Sequence, residues 1–509
     1  MTAKHETAAT LGVVARLFKQ LNDQGVRYCH WKSTHGLPRA LRGKTDLDLL
    51  VGRGDARRFK AVLYQLDFKP LVSDPSRQFP AIEDYLGFDP ATGDLVHLHV
   101  HYRLVLGEQY VKNYVLPLEQ AFLDNTRLQW GVKVPAPELE IAVLALRVLL
   151  KYRNQDALRD ALGLGRRGGI PPALLDELAY LLAQTSRDEI DRALRRHITC
   201  VSPELIQAFL DTIRDAPRDG RALLRLRGRA RRELAPYRRY GWLRSRAAYL
   251  QGMITRQWPF DRIMRRIAPG LEKRKRPASG GLGLAFVGAD GAGKSTIIAQ
   301  ITKWLGWRLD VRTYYLGASR PSLVTRALKG VSGLAGLAHA GCRRLFGAGS
   351  APARLAAWPR DLLKHLRYLA EGRDRYRRYL ASRREAAQGT IVVYDRYPLE
   401  AVRVFNRTVD GPRIAASSEG PLGPLSRRLA QIEERMYRKI RPPEHVFVLH
   451  VSPDVSQARK PEHARELIEA KSRAIETIAR EDLDLIDVDA DRPVDEVLLQ
   501  IKTALWRLL

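Results

Sequence analysis

Eleven residues constrain this chain more than any other stretch: Phe286 to Thr296 read FVGADGAGKST. An apolar run ends at Gly288, and after four intervening residues come Gly293, Lys294 and Ser295, the spacing at which a strand turns through a glycine-rich loop into a helix. Glycine is needed because the loop N–H groups must face an anion and the backbone must approach it closely. The stretch that follows, STIIAQITKWL, offers a helix N-terminus with its positive end towards the same anion. In such a loop Gly288, Gly291 and Gly293 shape the cradle, Lys294 neutralises the charge of β- and γ-phosphates, and Ser295, followed by Thr296, supplies a hydroxyl for Mg²⁺. The expectation is an α/β unit built around phosphate binding in the second half of a 509-residue chain.

Five apolar runs surround that loop in sequence: LGLAFVG, RTYYLG, TIVVYD, HVFVLHVS and LDLIDVDA, with helical stretches between them. Short apolar runs alternating with helices predict a parallel, doubly wound sheet of five strands. A chain of this length holds roughly two to four domains. The expected divisions are an α/β domain over 1–150, a helical extension over 151–216, a basic connector over 217–280 whose end, EKRKRPASGG, reads as a linker, and the loop-bearing domain over 281–509.

The formal charge of +30 and a pI near 10.3 predict attraction to something anionic, whether a phosphorylated small molecule, an acidic membrane surface or nucleic acid. Part of that charge lies in the connector, where Leu243, Ala247, Leu250, Ile254 and Trp258 recur at helical spacing with Arg244, Arg246 and Arg256 off the stripe. A helix packing between domains, an anionic membrane surface and nucleic acid are all compatible with this pattern. The three cysteines, Cys29, Cys200 and Cys342, are far apart and lack metal-ligand spacing, so neither a disulfide framework nor a zinc site is expected. The start MTAKHETAATLGVVARLFKQ has no signal-peptide pattern and no apolar run is long enough to span a bilayer. The expectation is a cytoplasmic protein, soluble or peripheral at a membrane.

Three kinds of chemistry use such a loop. A GTP-reading switch would carry Asn-Lys-x-Asp and an ATP-driven motor an apolar run ending in Asp-Glu; neither pattern is present. The third strand instead ends VVYDRYP, which puts Asp395 at the strand tip, where it can hold the hydration shell of Mg²⁺. Arg396 beside it has the fork that binds phosphate oxygens in pairs, and so suits an anionic acceptor.

DGAGKST followed further along by YDRYP resembles the thymidylate kinase branch of the nucleoside monophosphate kinases, over roughly 281–509. The resemblance implies ATP and Mg²⁺ as cofactors, with Asp290 directed towards an acceptor hydroxyl. It also implies a basic lid after the fourth strand, in SPDVSQARKPEHARELIEAKSRA, where Ser452 and Pro453 suit a helix start and Arg459, Lys460, Lys471 and Arg473 are the cations available to clamp the transferring group. The closing IDVDADRPVDEVLLQIKTAL resembles the family's last strand, adenine-side loop and helix. The family's acceptor-recognising segments after the second and third strands are replaced here, and a long insertion, RALKGVSGLAGLAHAGCRRLFGAGSAPARLAAWPRDLLKHLRYL, separates those strands. The acceptor is therefore left open between a nucleoside monophosphate of the dTMP kind and a sugar or sugar phosphate. From another class stands a regulatory or scaffolding NTP-binding protein with little turnover.

The first half carries a second motif, HWKSTHGLPRALRGKTDLDLLV. Lys32-Ser33 followed by Asp46-x-Asp48 on an apolar run resembles the nucleotidyltransferase fold of the polymerase-β type. Carboxylates two apart on a strand face the same way, so Asp46 and Asp48 can hold one Mg²⁺ together. Where that family has a third carboxylate this chain reads LVHLHVHYRL, with His97, His99 and His101 on one strand face and Asp94 at the opposite parity. Neutral imidazoles suit softer metals than Mg²⁺, so Asp46 and Asp48 are expected to bind a metal or nucleotide rather than to catalyse.

Overall fold

The five apolar runs become five strands of one sheet, in the spatial order Val311–Tyr315, Ile391–Asp395, Gly283–Gly288, His445–His450 and Leu485–Asp489, every neighbouring pair parallel. The structure is a computed structural model that describes residues 10–73, 78–108, 111–161, 170–215, 219–256, 275–317, 319, 321–400, 402–404, 407–414, 422–461, 465–476, 478 and 483–509. The chain separates into two compact units, Met1–Lys273 and Arg274–Leu509.

In the second unit the strand Gly283–Gly288 is central, and this explains its uninterrupted apolar sequence: Leu284, Ala285 and Phe286 are buried, with Phe286 stacked on Phe447 of the next strand at 5.0 Å. Parallel neighbours require crossovers. The helix Lys294–Leu305 supplies the first, burying Ile297, Ile298, Ile301 and Leu305, and Val494–Leu508 closes the fold. The long insertion forms two helices packed on each other, Leu323–Phe346 and Ala351–Ala387, whose N-caps Ser322 and Ser350 accept from Thr325 and Ala353 N–H groups. Residues 275–281, at the end of the stretch expected to be a linker, are anchored: the Arg308 carbonyl accepts from Lys275 N–H at 3.2 Å, and the Lys275 carbonyl from Asp310 N–H at 2.9 Å.

The first unit contains a mixed sheet in which Tyr28–His30, Leu47–Val51, Leu95–His101, Ile82–Phe88 and Lys69–Val72 lie side by side. Leu47–Val51 and Leu95–His101 form its parallel pair, with Asp48 opposite His99. One core packs this sheet against the helices Gly12–Asp23 and Ala56–Gln65. A second core runs from Cys29 and Trp31 through the almost wholly buried helix Pro137–Lys151 to Leu223, Ala230 and Leu234. The connector thus begins as the helix Gly220–Glu233, packed in that core. The next helix, Trp242–Arg256, leaves Leu243 76% and Leu250 42% exposed, with Ala247 also exposed, so these three residues of the apolar stripe are not packed; Trp258 of that stripe lies outside the described residues. Among the described residues no helix is long and apolar enough to cross a membrane.

Candidate functional site

The glycine-rich loop leaves the sheet at Gly288 and enters the helix at Lys294. Gly291 (φ +85°) and Gly293 (φ +78°) occupy the left-handed region, and a Cβ on Gly291 would stand 2.9 Å from the Ser456 carbonyl oxygen. Any side chain there meets both strain and a clash, which is the physical content of the motif's glycines. Gly288 is tight for a different reason, since its Cβ would stand 3.0 Å from the Leu449 carbonyl oxygen on the adjacent strand.

Lys294 turns back over this loop and donates to the carbonyls of Gly288 (2.9 Å) and Ala289 (2.7 Å). Burial brings its ammonium down to about 8; Asp290 and Asp395 act to raise it and Arg396 and Lys471 to lower it further. These four charges belong to the loop (Asp290), the end of the third strand (Asp395 and the next residue, Arg396) and the helix Arg465–Glu476 (Lys471), so three segments converge on one lysine. Ser295 and Thr296 are exposed in the helix's first turn.

Asp290, expected to face an acceptor hydroxyl, is ion-paired with Lys471, while Ser456 Oγ donates to the Asp290 main-chain carbonyl. Arg459 Nη1 donates to the carbonyls of Ala490 (3.1 Å) and Gly291 (3.4 Å), fastening the loop to the segment after the last strand. Ser452 does cap the helix Pro453–Arg459, accepting from Val455 N–H, with Pro453 in the first turn. Of the four cations read as lid residues, Arg459 and Lys471 reach the loop; Arg473 bonds within its own helix, to the Glu469 carbonyl, and Lys460 is exposed at the helix end.

Asp395 ends its strand, and Arg396 follows with φ +56°, a left-handed conformation costly for a residue with a side chain. The half-exposed Arg396 side chain lies 3.9 Å from Asp410, a residue not singled out from the sequence. The Asp-Gly pair at 410–411, a turn signal, was the available clue. Arg396, Asp290, Lys294 and Lys471 line a cavity of about 60 Å³ whose other wall is Tyr397, Val402, Val409 and Ile475. A larger cavity of about 190 Å³ lies against Ala289, Ser452, Ser472, Asp489 and Asp491. The oxygen donors Ser295 and Asp395 are those a hard cation such as Mg²⁺ requires.

The first unit holds a separate polar cluster. Its two expected carboxylates are drawn to different imidazoles: Asp46 Oδ1 to His97 Nδ1 at 2.9 Å, and Asp48 Oδ1 to His99 Nδ1 at 3.2 Å. Lys32 Nζ is 2.8 Å from Asp48. Burial works to raise the Asp48 carboxyl, but Lys32 and His99 hold it well below the usual carboxylate range. Burial pushes His99 and His101 below the ordinary imidazole value, keeping both neutral near pH 7. A further carboxylate, Asp84, comes from the antiparallel neighbour Ile82–Phe88, where it stands opposite His99 and lies 3.2 Å from His97 Nε2. Sequence spacing did not reveal Asp84, because that juxtaposition comes from strand pairing. Asp94 pairs with Lys44 at 3.5 Å instead. The buried Glu140 accepts from Thr34 N–H at 2.8 Å and from its hydroxyl, which fixes the turn after Lys32-Ser33; burial raises its carboxyl to about 7.

No protein-family model matches the chain. A stretch of 227 residues is 29% identical to the uncharacterised ATP-binding protein YghR of Escherichia coli (strain K12), covering 43% of this chain and 85% of YghR. The uncharacterised ATP-binding protein YghS of the same strain is 26% identical over 220 residues, covering 42% of this chain and 88% of YghS.

Proposed function

We propose that the unit Arg274–Leu509 binds ATP at Gly288–Ser295 and transfers the terminal phosphoryl group to a small acceptor, a nucleoside monophosphate of the dTMP kind or a sugar or sugar phosphate. The observation that carries this reading is the convergence of Lys294, Arg396, Lys471, Asp290 and Asp395 beside a cavity just beyond the loop. Simple nucleotide retention needs the loop; a second charged pocket beside it is what a phosphoryl acceptor needs. The ATP-binding names of the relatives agree with the donor half of the proposal.

In this mechanism Ser295 and Asp395 would hold Mg²⁺, which would supply positive charge against the reacting phosphates. Lys294 exchanges its loop carbonyls for phosphate oxygens. Asp290 orients the acceptor hydroxyl, whose oxygen bonds to the γ-phosphorus as the bond to the β,γ-bridging oxygen breaks; ADP departs and the hydroxyl proton passes to solvent. Arg396 grips the acceptor's anionic group through paired N–H donors.

The test is label transfer from γ-labelled ATP with Mg²⁺ to a panel of nucleoside monophosphates, sugars and sugar phosphates. Acceptor-dependent labelling is expected. ATP binding with no labelled acceptor across the panel would instead support the regulatory reading. Arg396→Ala is expected to raise the acceptor KM about 10- to 100-fold, the loss of a charged hydrogen bond, and to leave ATP affinity nearly unchanged. A collapse of ATP affinity would remove Arg396 from the acceptor role.

The lowered Lys294 value sets a pH dependence. Its ammonium is the phosphate-binding form, so ATP affinity is expected to fall as pH rises through about 8, by about tenfold between pH 7 and 9. Titrations with a fluorescent ATP analogue at the two pH values would show it, and the slope is expected to vanish in Lys294→Ala.

A further inference from the structure

The nucleotidyltransferase resemblance implies Mg²⁺ between Asp46 and Asp48, but the donors that the first unit assembles have a different chemistry. Asp46 is turned to His97. The described group with ligand atoms all within 4.8 Å of one another is Asp48, His99 and His101, one carboxylate and two imidazoles. We propose that Asp48, His99 and His101 form a binding site for a transition-metal divalent cation, Zn²⁺ or one of similar softness, and that the site discriminates against Mg²⁺.

The backbone makes this set. Asp48 and His99 are direct partners across the parallel pair, and His101 follows on the same face two residues later. The His99 and His101 rings are 4.5 Å apart, and Trp31 packs edge-on against His101 at 5.1 Å, which holds that ring in place. A second observation is independent of the spacing. His101 is 1% exposed, and neither of its ring nitrogens has a hydrogen-bond partner. A buried imidazole normally satisfies at least one nitrogen, because an unmet donor or acceptor costs about 1–3 kcal/mol. A metal bound at one nitrogen removes that cost.

Ligand type decides which metal. Mg²⁺ prefers six oxygens at octahedral positions and sheds water reluctantly, whereas imidazole nitrogen favours Zn²⁺, Co²⁺ and their neighbours. Lys32 is the built-in competitor: its ammonium sits 2.8 Å from Asp48 Oδ1, the same oxygen that His99 approaches. Metal entry requires Lys32 to withdraw or to share the carboxylate.

The test uses the full chain, stripped with a chelator and titrated with Co²⁺ in excess Mg²⁺, so that oxygen-donor sites are already filled. One equivalent of Co²⁺ is expected to bind with a visible absorption band, displaced by Zn²⁺ and insensitive to further Mg²⁺. Asp48→Asn and His99→Ala, checked for native circular dichroism, are each expected to weaken Co²⁺ binding at least tenfold. Lys32→Met is expected to tighten it. If the folded Asp48→Asn protein binds Co²⁺ as tightly as the unsubstituted one, or if the excess Mg²⁺ prevents Co²⁺ from binding, the proposal is overturned. A weaker Lys32→Met site would likewise contradict the competition between Lys32 and the metal.

Discussion

Lys294→Ala is expected to lower acceptor phosphorylation by about 100- to 1000-fold or more while leaving the protein folded. The size follows from the loss of a preorganised charge at the site where negative charge builds up during transfer. Retention of the fold follows from what the ammonium touches: its hydrogen bonds go to the carbonyls of Gly288 and Ala289 within its own loop, and its burial already works against its charge. Removing it takes away an unfavourable buried cation as well as two hydrogen bonds, so the two effects on stability oppose each other. Steady-state turnover with the best acceptor, together with a circular-dichroism melt, checks both parts. Near-normal turnover in a folded Lys294→Ala protein would exclude the phosphoryl-transfer assignment.

Arg375→Ala is expected to have the opposite profile, a large stability loss expressed in the second unit. Arg375 lies on the long helix Ala351–Ala387, is 1% exposed, and donates to the Leu316 carbonyl at 2.7 Å and to the Tyr437 hydroxyl. Its second terminal nitrogen is 4.0 Å from Asp410, the carboxylate that also faces Arg396. One guanidinium therefore ties the end of the second strand to the helix Gly423–Tyr437 and to the turn at Asp410, which lines the cavity beside the glycine-rich loop. Alanine leaves the carbonyl and hydroxyl unmet in a dry interior and removes the cation from Asp410, at a cost of about 3 kcal/mol or more. For a unit of this size that corresponds to a fall of roughly 6–12 °C in its melting temperature. Lysine is not expected to rescue it, because a single ammonium cannot reproduce the planar fork that reaches separate partners. Differential scanning calorimetry would resolve the loss in the transition belonging to the second unit; an unchanged transition would show that the arginine's contacts do not support the fold.

The two substitutions also separate what was legible in the sequence from what was not. Lys294 could be found by spacing alone, because a strand, a glycine turn and a helix N-terminus are local structures whose conformational needs appear in consecutive residues. The five strands were legible for the same reason, since short apolar runs between helical stretches mark a parallel sheet: four observed strands fall within their expected runs, and Val311–Tyr315 begins one residue before the run RTYYLG. The Ser452-Pro453 helix start and the position of Asp395 at a strand tip are equally local.

Arg375 carried no such mark, being one of several arginines on a basic helix until packing buried it. Asp290 was visible as a loop carboxylate, but its pairing with Lys471 joins residues 181 apart in the chain. The approach of Asp84 to His97 required strands Ile82–Phe88 and Leu95–His101 to pair in a particular register. In the first unit the sequence determined that two aspartates and three histidines occur at strand spacing; which carboxylate meets which imidazole was decided by the alignment of neighbouring strands. The physical reason is one of range. Backbone conformation answers to residues a few positions away, whereas charge pairing and metal-ligand geometry answer to distance in space, which exists only after the sheet and its crossovers have formed.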